Sequence, residues 1–444
     1  MLNSHTLPYT DPYSFSRANA PWIDWEWGAD VCMGLTHRVG GPAAVAVLFA
    51  SIIAMTTWLW WQLTWTLGGD FLVGWLLAVP MLSTTNLHWL ARPHIFSWSL
   101  ALLALILIES GVESWIAVAL LSVVWVNVHA SFFLLPVMFL LYAAGEWISY
   151  FFFADARTPR TRWLVGAAFV AIVSSLLNPY GFHVHKHVFE YLSNSELIDR
   201  IGEFQSFNFH AAGAGQILAG LGAAALGGVL ALTQGRVSHF LMAAVFLALG
   251  LRSARGLPLV ALLILPLANR AVIQALHETQ ALKPALRKWL SGATQYSGNL
   301  RKLDQRQSGL ALVPLIVVCL VFAARSGGAQ KWAGFPPSEY PVEAVKHLPP
   351  DARVLAPDMY GGYMIYRFNG ERKVYFDGRS DFYGIAFMKN YIELVEVRPN
   401  WLDEFERQHF THALLPVRYS LVPALLQKGW RRLYNDEVAT VLAK

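Results

Sequence analysis

Apolar runs separated by short polar stretches fill the first three quarters of the chain. They recur at ten places, roughly 42–63, 71–87, 95–109, 115–126, 131–153, 163–177, 215–233, 238–251, 257–272 and 309–324. Several of these runs are shorter than the roughly 20 residues that a helix needs to cross hydrocarbon. The pattern predicts an α-helical multi-pass membrane bundle of about ten spans.

The stretch 115–153 is ambiguous because Asn127 and His129 interrupt its apolar pattern. One kinked helix fits this stretch, and so do two spans joined by a buried turn. Backbone that leaves the helical conformation at such a depth is tolerated only inside protein or beside a water-filled cavity.

The last 120 residues alternate between short apolar and polar segments. An amphipathic helix is predicted at 340–348 and another that opens at Gly361-Gly362, with strands at 353–356, near 373–376 and near 412–417. The ending, 430–434 and 438–442 around Asn435-Asp436, predicts a β-hairpin. This part is expected to be a small α/β domain with a mixed sheet.

Composition agrees with this division. The chain has 444 residues, of which 55% are hydrophobic and only 14% charged, against about 25% charged in soluble domains. Residues 1–324 hold 33 of the 63 charged residues, and residues 325–444 hold the other 30. The predicted parts are an outward segment at 1–41, a bundle at 42–324 and a soluble domain at 325–444. A soluble enzyme, a secreted disulfide scaffold and a disordered protein are excluded.

The basic residues predict the orientation of the bundle. They gather in three loops, which hold Arg157, Arg160 and Arg162; Arg236; and Arg270, Lys283, Arg287, Lys288, Arg301, Lys302 and Arg306. With ten spans all three loops fall on one side, which the positive-inside rule makes cytoplasmic. The N-terminal segment and the C-terminal domain then face outward, and no nucleic-acid partner is expected despite the net charge of +5. Cys32 and Cys319 are the only cysteines, so neither a disulfide nor a cysteine metal cluster is expected.

Acidic and aromatic residues alternate in the N-terminal segment. The candidate catalytic acids are Asp11, Asp24 and Glu26, and the aromatic residues among them are Trp22, Trp25 and Trp27. Carboxylates can accept a hydroxyl proton, and indole faces stack on the apolar face of a sugar ring. The segment is therefore a candidate sugar site, although an interfacial aromatic belt with solvated acids gives the same pattern.

Basic and polar residues also lie at the predicted outward ends of the spans. The candidate phosphate-binding residues are Arg92, His94, His129, Arg252 and Arg255, with Asn127 as a candidate for the sugar or acceptor. Guanidinium groups bind phosphate oxygens in a bidentate manner, which favours a phosphate or pyrophosphate ligand. Alternatively, Arg92 pairs with an acid such as Glu26 and the other side chains extend to lipid head groups.

Two other motifs have a structural and a functional interpretation. His183, His185 and His187 would hold a divalent metal only on an extended backbone, whereas a helix lying on the bilayer would separate them. No metal or other cofactor is expected. Gly361-Gly362 could approach a phosphate, and Asp377-Gly378-Arg379 indicates first of all a turn.

Several of these motifs occur together in one group of proteins. The stretches are Asp11-Pro-Tyr-Ser-Phe, Trp22, Glu26-Trp27, Arg92-Pro-His-Ile-Phe-Ser-Trp, Trp125-Val-Asn-Val-His-Ala-Ser-Phe, Asn178-Pro-Tyr-Gly, Glu203-Phe-Gln-Ser, Gly361-Gly-Tyr, Phe376-Asp-Gly-Arg, Gly429-Trp and Tyr434-Asn-Asp-Glu-Val-Ala. With them the chain resembles a group of bacterial membrane proteins in the GT-C glycosyltransferase clan, which includes protein mannosyltransferases and the aminoarabinose transferases of lipid A.

The resemblance implies a GT-C-like bundle whose cavity opens outward in the bacterial cytoplasmic membrane. It implies transfer of a hexosyl or pentosyl group from a polyprenyl-phosphate donor to an envelope polysaccharide, lipid or protein. The acid that acts on the acceptor would be Asp11, Asp24 or Glu26. The donor phosphate would lie on Arg92, His94, Arg252 or Arg255.

One departure from the group gives an alternative function. Relatives usually carry one more membrane helix and an outward Asp-and-Trp motif ahead of the stretch that matches Asp11. The first residues here contain no such helix, so the chain is expected either to begin further upstream or to lack that acid. In the second case it would bind a lipid-linked sugar as a non-catalytic or scaffold protein. A secondary transporter is disfavoured because no paired broken helices occur in matching halves.

Overall fold

The computed structural model describes residues 1–2, 5–153, 159–307, 312–325 and 333–444. Arg157, one of the basic residues used for orientation, lies outside the described residues. The chain divides into two compact units. The bundle unit comprises Trp25–His183 and Ile201–Trp332, and the composite unit comprises Met1–Asp24, Val184–Arg200 and Ala333–Lys444.

In its described residues the bundle unit consists of helices joined by loops and turns. Its α-helices are α1 (Trp27–Thr66), α2 (Phe71–Thr85), α3 (His94–Glu109), α4 (Trp115–Val128), α5 (Leu134–Phe152), α6 (Thr161–Ser174), α9 (Ala214–Thr233), α10 (Val237–Arg252), α11 (Leu257–Leu259), α12 (Leu265–Glu278), α13 (Pro284–Gln307) and α14 (Leu312–Arg325). A π-helical segment, Val260–Ile264, lies between α11 and α12.

Among the described residues, five helical stretches are long and apolar enough to cross a membrane. They are Trp27–Thr66, Phe71–His88, Ala130–Phe152, Ala214–Thr233 and Ala254–Glu278. The apolar helices His94–Glu109, Trp115–Val128, Thr161–Ser174, Val237–Arg252 and Val313–Phe322 are shorter. Several helices are therefore able to span a membrane, as the apolar pattern predicted.

The first helix begins earlier than the sequence predicted. The segment 1–41 was expected to be an outward loop, but α1 starts at Trp27 and contains a kink at Gly40-Gly41. Gly41 has φ +63° and Pro42 follows it. The prediction followed the apolar run, which begins at about 42, and therefore missed the turns before the kink, where Asp30, His37 and Arg38 interrupt the apolar pattern.

The ambiguous stretch contains two separate helices. α4 ends at Val128, His129 is extended with φ −165° and ψ 145°, and a 3₁₀ turn at Ala130–Phe133 leads into α5. The His129 side chain accepts a hydrogen bond from the Ser131 backbone N–H and so caps the following turn.

The sequence analysis did not predict α13, because this helix is polar on much of its surface. It packs against the ends of α1 and α2, where Arg301 donates to the Trp65 carbonyl at 2.7 Å. The Phe71 backbone N–H donates to the Ser297 hydroxyl at 2.8 Å. A helix held by such contacts leaves no long apolar run in the sequence.

The composite unit contains six helices, namely α7 (Phe182–Ser193), α8 (Ser195–Ile198), α15 (Asp358–Arg367), α16 (Ser380–Val395), α17 (Trp401–Arg407) and α18 (Leu421–Gln427). The helix α7 begins two residues ahead of this unit. The sheet consists of β1 (Val354–Leu355), β2 (His412–Pro416), β3 (Arg431–Asn435) and β4 (Ala439–Ala443). The strand order is β1-β2-β4-β3. β1 is parallel to β2, with Val354 beside His412, and the other pairs are antiparallel. The predicted mixed sheet and closing hairpin are confirmed.

Other local predictions for this domain were wrong. The segment 373–376 forms no regular strand, and only Val374 bridges Ser14. The helix α15 begins at Asp358, ahead of the glycine pair, and 340–348 contains only a 3₁₀ turn at Ala344–His347. A Cβ at Gly361 would lie 1.8 Å from the Phe376 carbonyl oxygen. Gly361 is therefore required for close packing, which explains the motif without a phosphate.

The N-terminal segment is part of the composite unit. The Phe15 backbone N–H donates to the Val374 carbonyl, and the Val374 N–H donates to the Tyr13 carbonyl. Phe15 packs against Tyr375 and Phe410 in the core, with the Arg353 guanidinium 4.0 Å from its ring centroid. The structure thus joins the beginning and the end of the chain in one core.

Candidate functional site

The start of α1 brings two of the predicted residues into the bundle unit. A Cβ at Gly28 would lie 2.6 Å from the Asn127 carbonyl oxygen, so only glycine allows this close approach of α1 to α4. The Trp27 indole N–H then donates to Asn127 Oδ1 at 2.7 Å. Asn127 donates in turn to the carbonyls of Val123 and Leu177. Asn127 therefore fixes the indole and the end of α4 together.

Glu26, directly before α1, lies beside His129. Glu26 Oε1 is 3.5 Å from His129 Nε2. Because the Ser131 backbone N–H donates to His129 Nδ1, that nitrogen is the acceptor in the neutral ring and the proton lies on Nε2. The proton of His129 thus points toward the Glu26 carboxylate.

Two hydroxyl groups support the His129 ring. Ser97 Oγ and Ser131 Oγ lie 2.9 Å and 2.8 Å from His129 Nδ1. The Trp125 indole N–H donates to the same two hydroxyls. Sequence reasoning gave no role to Ser97, Ser131 or Trp125, although all three lie inside the motifs that carried the resemblance.

Contacts of His88 and His94 lead from His129 toward the arginines. His94 begins the helix that carries Ser97, the partner of His129, and its Nε2 is 2.9 Å from the His88 carbonyl oxygen. The His94 ring contacts Trp98 edge-on. His88 Nε2 lies 3.3 Å from the Ala254 carbonyl oxygen, next to Arg255. A chain of contacts thus connects Glu26 and His129 with Arg255.

Arg92 and Arg255 converge on the carboxylate of Glu203, an arrangement called here the Glu203 clamp. Arg92 Nη1 is 2.5 Å from Oε1, and Arg255 Nη2 is 2.5 Å from Oε2. The side chains of Arg92, Arg255 and Glu203 are 53%, 43% and 30% exposed. Burial would raise the pKa of Glu203, but the charges of Arg255 and Arg92 outweigh it and lower this pKa. The clamp holds two positive charges against one negative charge.

The Glu203-Phe-Gln-Ser motif attaches the clamp to the loop after α10. The Arg255 guanidinium lies 4.5 Å from the Phe204 ring centroid. The Ala254 backbone N–H donates to the Gln205 carbonyl at 2.8 Å, and Ser206 Oγ donates to the Leu251 carbonyl at 2.8 Å. The motif therefore positions Arg255, a role that spacing alone did not reveal.

Asp11 occupies a second ion cluster, in the composite unit. Arg379 Nη2 is 2.7 Å from Asp11 Oδ1 and 2.6 Å from Asp377 Oδ2, and these three residues are called here the Arg379 cluster. The Asp11 side chain is fully buried, and that of Asp377 is 3% exposed. Asp11 also accepts hydrogen bonds from the Tyr13 and Ser14 backbone N–H groups. Both of its oxygens are thus engaged.

The surroundings of Asp11 keep it ionised. Burial would raise its pKa, but the hydrogen bonds from Ser14 and Arg379 and the charge of Arg379 lower it. The Arg379 guanidinium lies 4.7 Å from the Trp22 ring centroid, a cation–π contact. Asp11 and Trp22 therefore join the N-terminal segment to the C-terminal domain.

The structure also gives positions for the remaining predicted residues. Asp24 is buried at the end of the first segment of the composite unit, and Trp25 opens the bundle unit. Arg252 ends α10 with an exposed side chain that forms no ion pair with the described residues. His183, His185 and His187 lie on the helix α7, where His185 points away from the face shared by His183 and His187, so the three rings do not converge. Among the described residues no group of three or more His, Cys, Asp or Glu could hold a metal.

The bundle contains another buried polar group. Glu109 Oε1 accepts from Tyr142 at 2.5 Å and lies 2.8 Å from His239 Nε2. Glu109 ends α3 and His94 begins it, so a helical rise of about 1.5 Å per residue separates the two groups by roughly 22 Å. The Glu109 group is thus distinct from the candidate site.

Comparisons with known proteins add no identity to this site. No family model, curated protein or solved structure matches the chain.

Proposed function

We propose that the protein transfers a sugar from a polyprenyl-phosphate donor to an envelope acceptor at the outer face of the bacterial cytoplasmic membrane. The observation that carries the proposal is the chain of contacts in the bundle unit that connects Glu26 and His129, through His94 and His88, with the two clamp arginines. An acid beside a cationic anion site is what the transfer of a sugar from a phosphate requires.

Glu26 fits the role of the acid better than Asp11. The Asp11 carboxylate receives an arginine, two backbone N–H groups and a hydroxyl, and its side chain is fully buried. The Glu26 side chain is 28% exposed and faces the proton of His129. A general base needs access to the acceptor hydroxyl. Glu26 is therefore the proposed base, and His129 is the positioning residue that orients it.

The proposed reaction balances without a cofactor. The acceptor oxygen attacks the anomeric carbon, the bond from that carbon to the phosphate oxygen breaks, and the configuration inverts. The acceptor proton passes to Glu26, and the leaving phosphate takes the bonding electron pair. Arg92 and Arg255 stabilise the negative charge that develops on the phosphate.

The composition of the composite unit supports the ten-span topology. Its three chain segments pack together, so in a membrane protein all three lie on the same side of the membrane. The chain must then cross the membrane an even number of times between one segment and the next. Ten spans place six between Asp24 and Val184 and four between Arg200 and Ala333. The five longer stretches of the described residues would place three in the first interval, an odd number. The shorter apolar helices are therefore counted as spans.

Substitution of the acid and of one arginine tests the function. We expect Glu26→Ala and Arg92→Ala each to abolish transfer in proteoliposomes supplied with polyprenyl-phosphate sugars, because one removes the base and the other removes charge stabilisation. The exposed Glu113 and Arg398 provide the control substitutions Glu113→Ala and Arg398→Ala, which should retain transfer. Size-exclusion elution and melting temperature report whether each variant is folded.

Two results would contradict the proposal. Full activity of both folded site variants would remove the assigned roles, and a preference for nucleotide sugars over lipid-linked sugars would remove the donor. Binding of lipid-linked sugars without turnover would instead support the non-catalytic binding protein.

A further inference from the structure

The Glu203 clamp is already occupied by an anion that belongs to the protein. Both guanidinium groups donate to Glu203, one to each carboxylate oxygen, at 2.5 Å. Arg255 adds a second hydrogen bond from Nε to Oε2 at 2.7 Å. A ligand phosphate that bound both arginines would have to replace these bonds.

The geometry suits such a replacement. A carboxylate and a phosphate both present two oxygens on one central atom, and arginine binds either in the same bidentate manner. Glu203 lies on a short 3₁₀ turn, Gly202–Phe204, and its side chain is 30% exposed. Two contacts hold the clamp independently of the carboxylate. The Phe204 ring lies under the Arg255 guanidinium group. Ser253 Oγ donates a hydrogen bond to the Glu203 backbone carbonyl.

The charge of the clamp leads to the same conclusion. Two arginines and one glutamate leave a net charge of +1, and removal of the glutamate from the arginines would leave +2. Arg92 and Arg255 form ion pairs with Glu203, and His88 Nε2 lies 3.3 Å from the Ala254 carbonyl oxygen, next to Arg255. A phosphate with more than one negative charge, such as the polyprenyl phosphate that leaves in the proposed reaction, would therefore outcompete a single carboxylate.

We infer that Glu203 is an internal counter-ion that a phosphate-bearing ligand displaces from Arg92 and Arg255. This inference rests on the proposed function and adds a closed and an open state to the same site. A site that is only partly open binds its ligand with an apparent affinity reduced by the open fraction. Glu203 thus weakens binding of weak anions and selects a ligand that carries a strong phosphate charge.

Replacement of the carboxylate by an amide tests the inference. The full-length protein in detergent micelles is titrated with farnesyl phosphate, with farnesol as the ligand that lacks phosphate, and with inorganic phosphate as the free anion. We expect Glu203→Gln to bind farnesyl phosphate roughly fivefold more tightly than the wild type, because no carboxylate competes. Farnesol binding should not change. A gain for inorganic phosphate alone would assign the clamp to a free anion instead of a lipid.

Matched variants make the result interpretable. Glu196→Gln removes an exposed glutamate that pairs with Lys389 and Arg200 in the composite unit and should not change the affinity. Glu203→Asp shortens the side chain by one methylene and should give a smaller gain. Equal or weaker binding by folded Glu203→Gln would overturn the inference and make Glu203 a brace for the arginines. If Glu203→Gln does not fold, equal or weaker binding by Glu203→Asp overturns it.

Failure of this inference differs from failure of the proposed function. If the ligand does not displace Glu203 from the arginines, the wild-type protein still binds farnesyl phosphate and the Arg255→Ala variant loses this binding. A wrong function leaves transfer absent with every lipid-linked sugar while Glu203→Gln still gains affinity for farnesyl phosphate.

Discussion

The two ion clusters are built from the same groups in opposite ratios. The Arg379 cluster places one guanidinium between two carboxylates, with side-chain exposures of 19% for Arg379, 0% for Asp11 and 3% for Asp377. The Glu203 clamp places one carboxylate between two guanidinium groups, each more than 40% exposed. The first is sealed inside one core, and the second is open to water.

This difference separates a structural cluster from a binding site. Buried carboxylates must be neutralised within the protein, and Asp11 receives backbone hydrogen bonds as well as the arginine. Exposed guanidinium groups remain hydrated and can exchange one anion for another. Sequence patterns pointed to Asp11 and Arg92 for the same reason, namely charge in an apolar chain, but burial gives them different roles.

The largest expected effect is the loss of Arg379. Arg379→Ala leaves two buried carboxylates without their cation, which should cost about 3–5 kcal/mol. Hydrogen exchange should show that the backbone amides of Tyr13 and Ser14 lose protection. The exposed pair of Arg398 with Glu396 provides the control Arg398→Ala, with little expected change. Unchanged protection in Arg379→Ala would mean that the N-terminal segment is held by packing alone.

Acid should weaken the same cluster. The folded pKa of Asp11 is lowered, whereas the unfolded value is about 3.9. Asp11 therefore contributes stability above about pH 4, and this contribution is lost as the pH falls through the folded pKa. Melting temperatures should show a deficit of Asp11→Asn at neutral pH that shrinks on acidification below about pH 4. Asp403→Asn, at an exposed position, is the control, and a constant deficit at all pH values would contradict the prediction.

The smallest expected stability effect belongs to the clamp. Arg92→Ala and Arg255→Ala should each change the free energy of unfolding by no more than about 1 kcal/mol, because exposed ion pairs contribute little. Both should nevertheless weaken binding of farnesyl phosphate. Denaturant titration and ligand titration of the same samples provide the two readouts. A large loss of stability with normal ligand binding would make the clamp a second structural cluster.

Much of the fold followed from the sequence because apolar runs and turn residues are local signals. The hairpin around Asn435-Asp436 formed as predicted, and Asp436 accepts hydrogen bonds from the Val438 and Ala439 N–H groups in its turn. The start of α1 was misplaced because Asp30, His37 and Arg38 interrupt the apolar pattern in its first turns.

The candidate site could be predicted only as a set of residues. Arg92, His94, His129 and Arg255 were chosen for their charge in an apolar context, and in the structure hydrogen bonds and ion pairs connect their surroundings. Pairings across the chain carry no local signal. Nothing in the spacing predicted that Glu203 joins Arg92 to Arg255, or that Asp11 meets Arg379.

The contact between Asp11 and Arg379 also sets an order for biosynthesis. These residues are 368 positions apart, and a ribosome that adds roughly 5–20 residues per second needs roughly 20–70 s to cover that distance. During this time the N-terminal segment lacks the contacts that it later makes with the C-terminal domain. The composite unit can form only after the residues around Arg379 have been made, so its assembly reports that synthesis has passed this point.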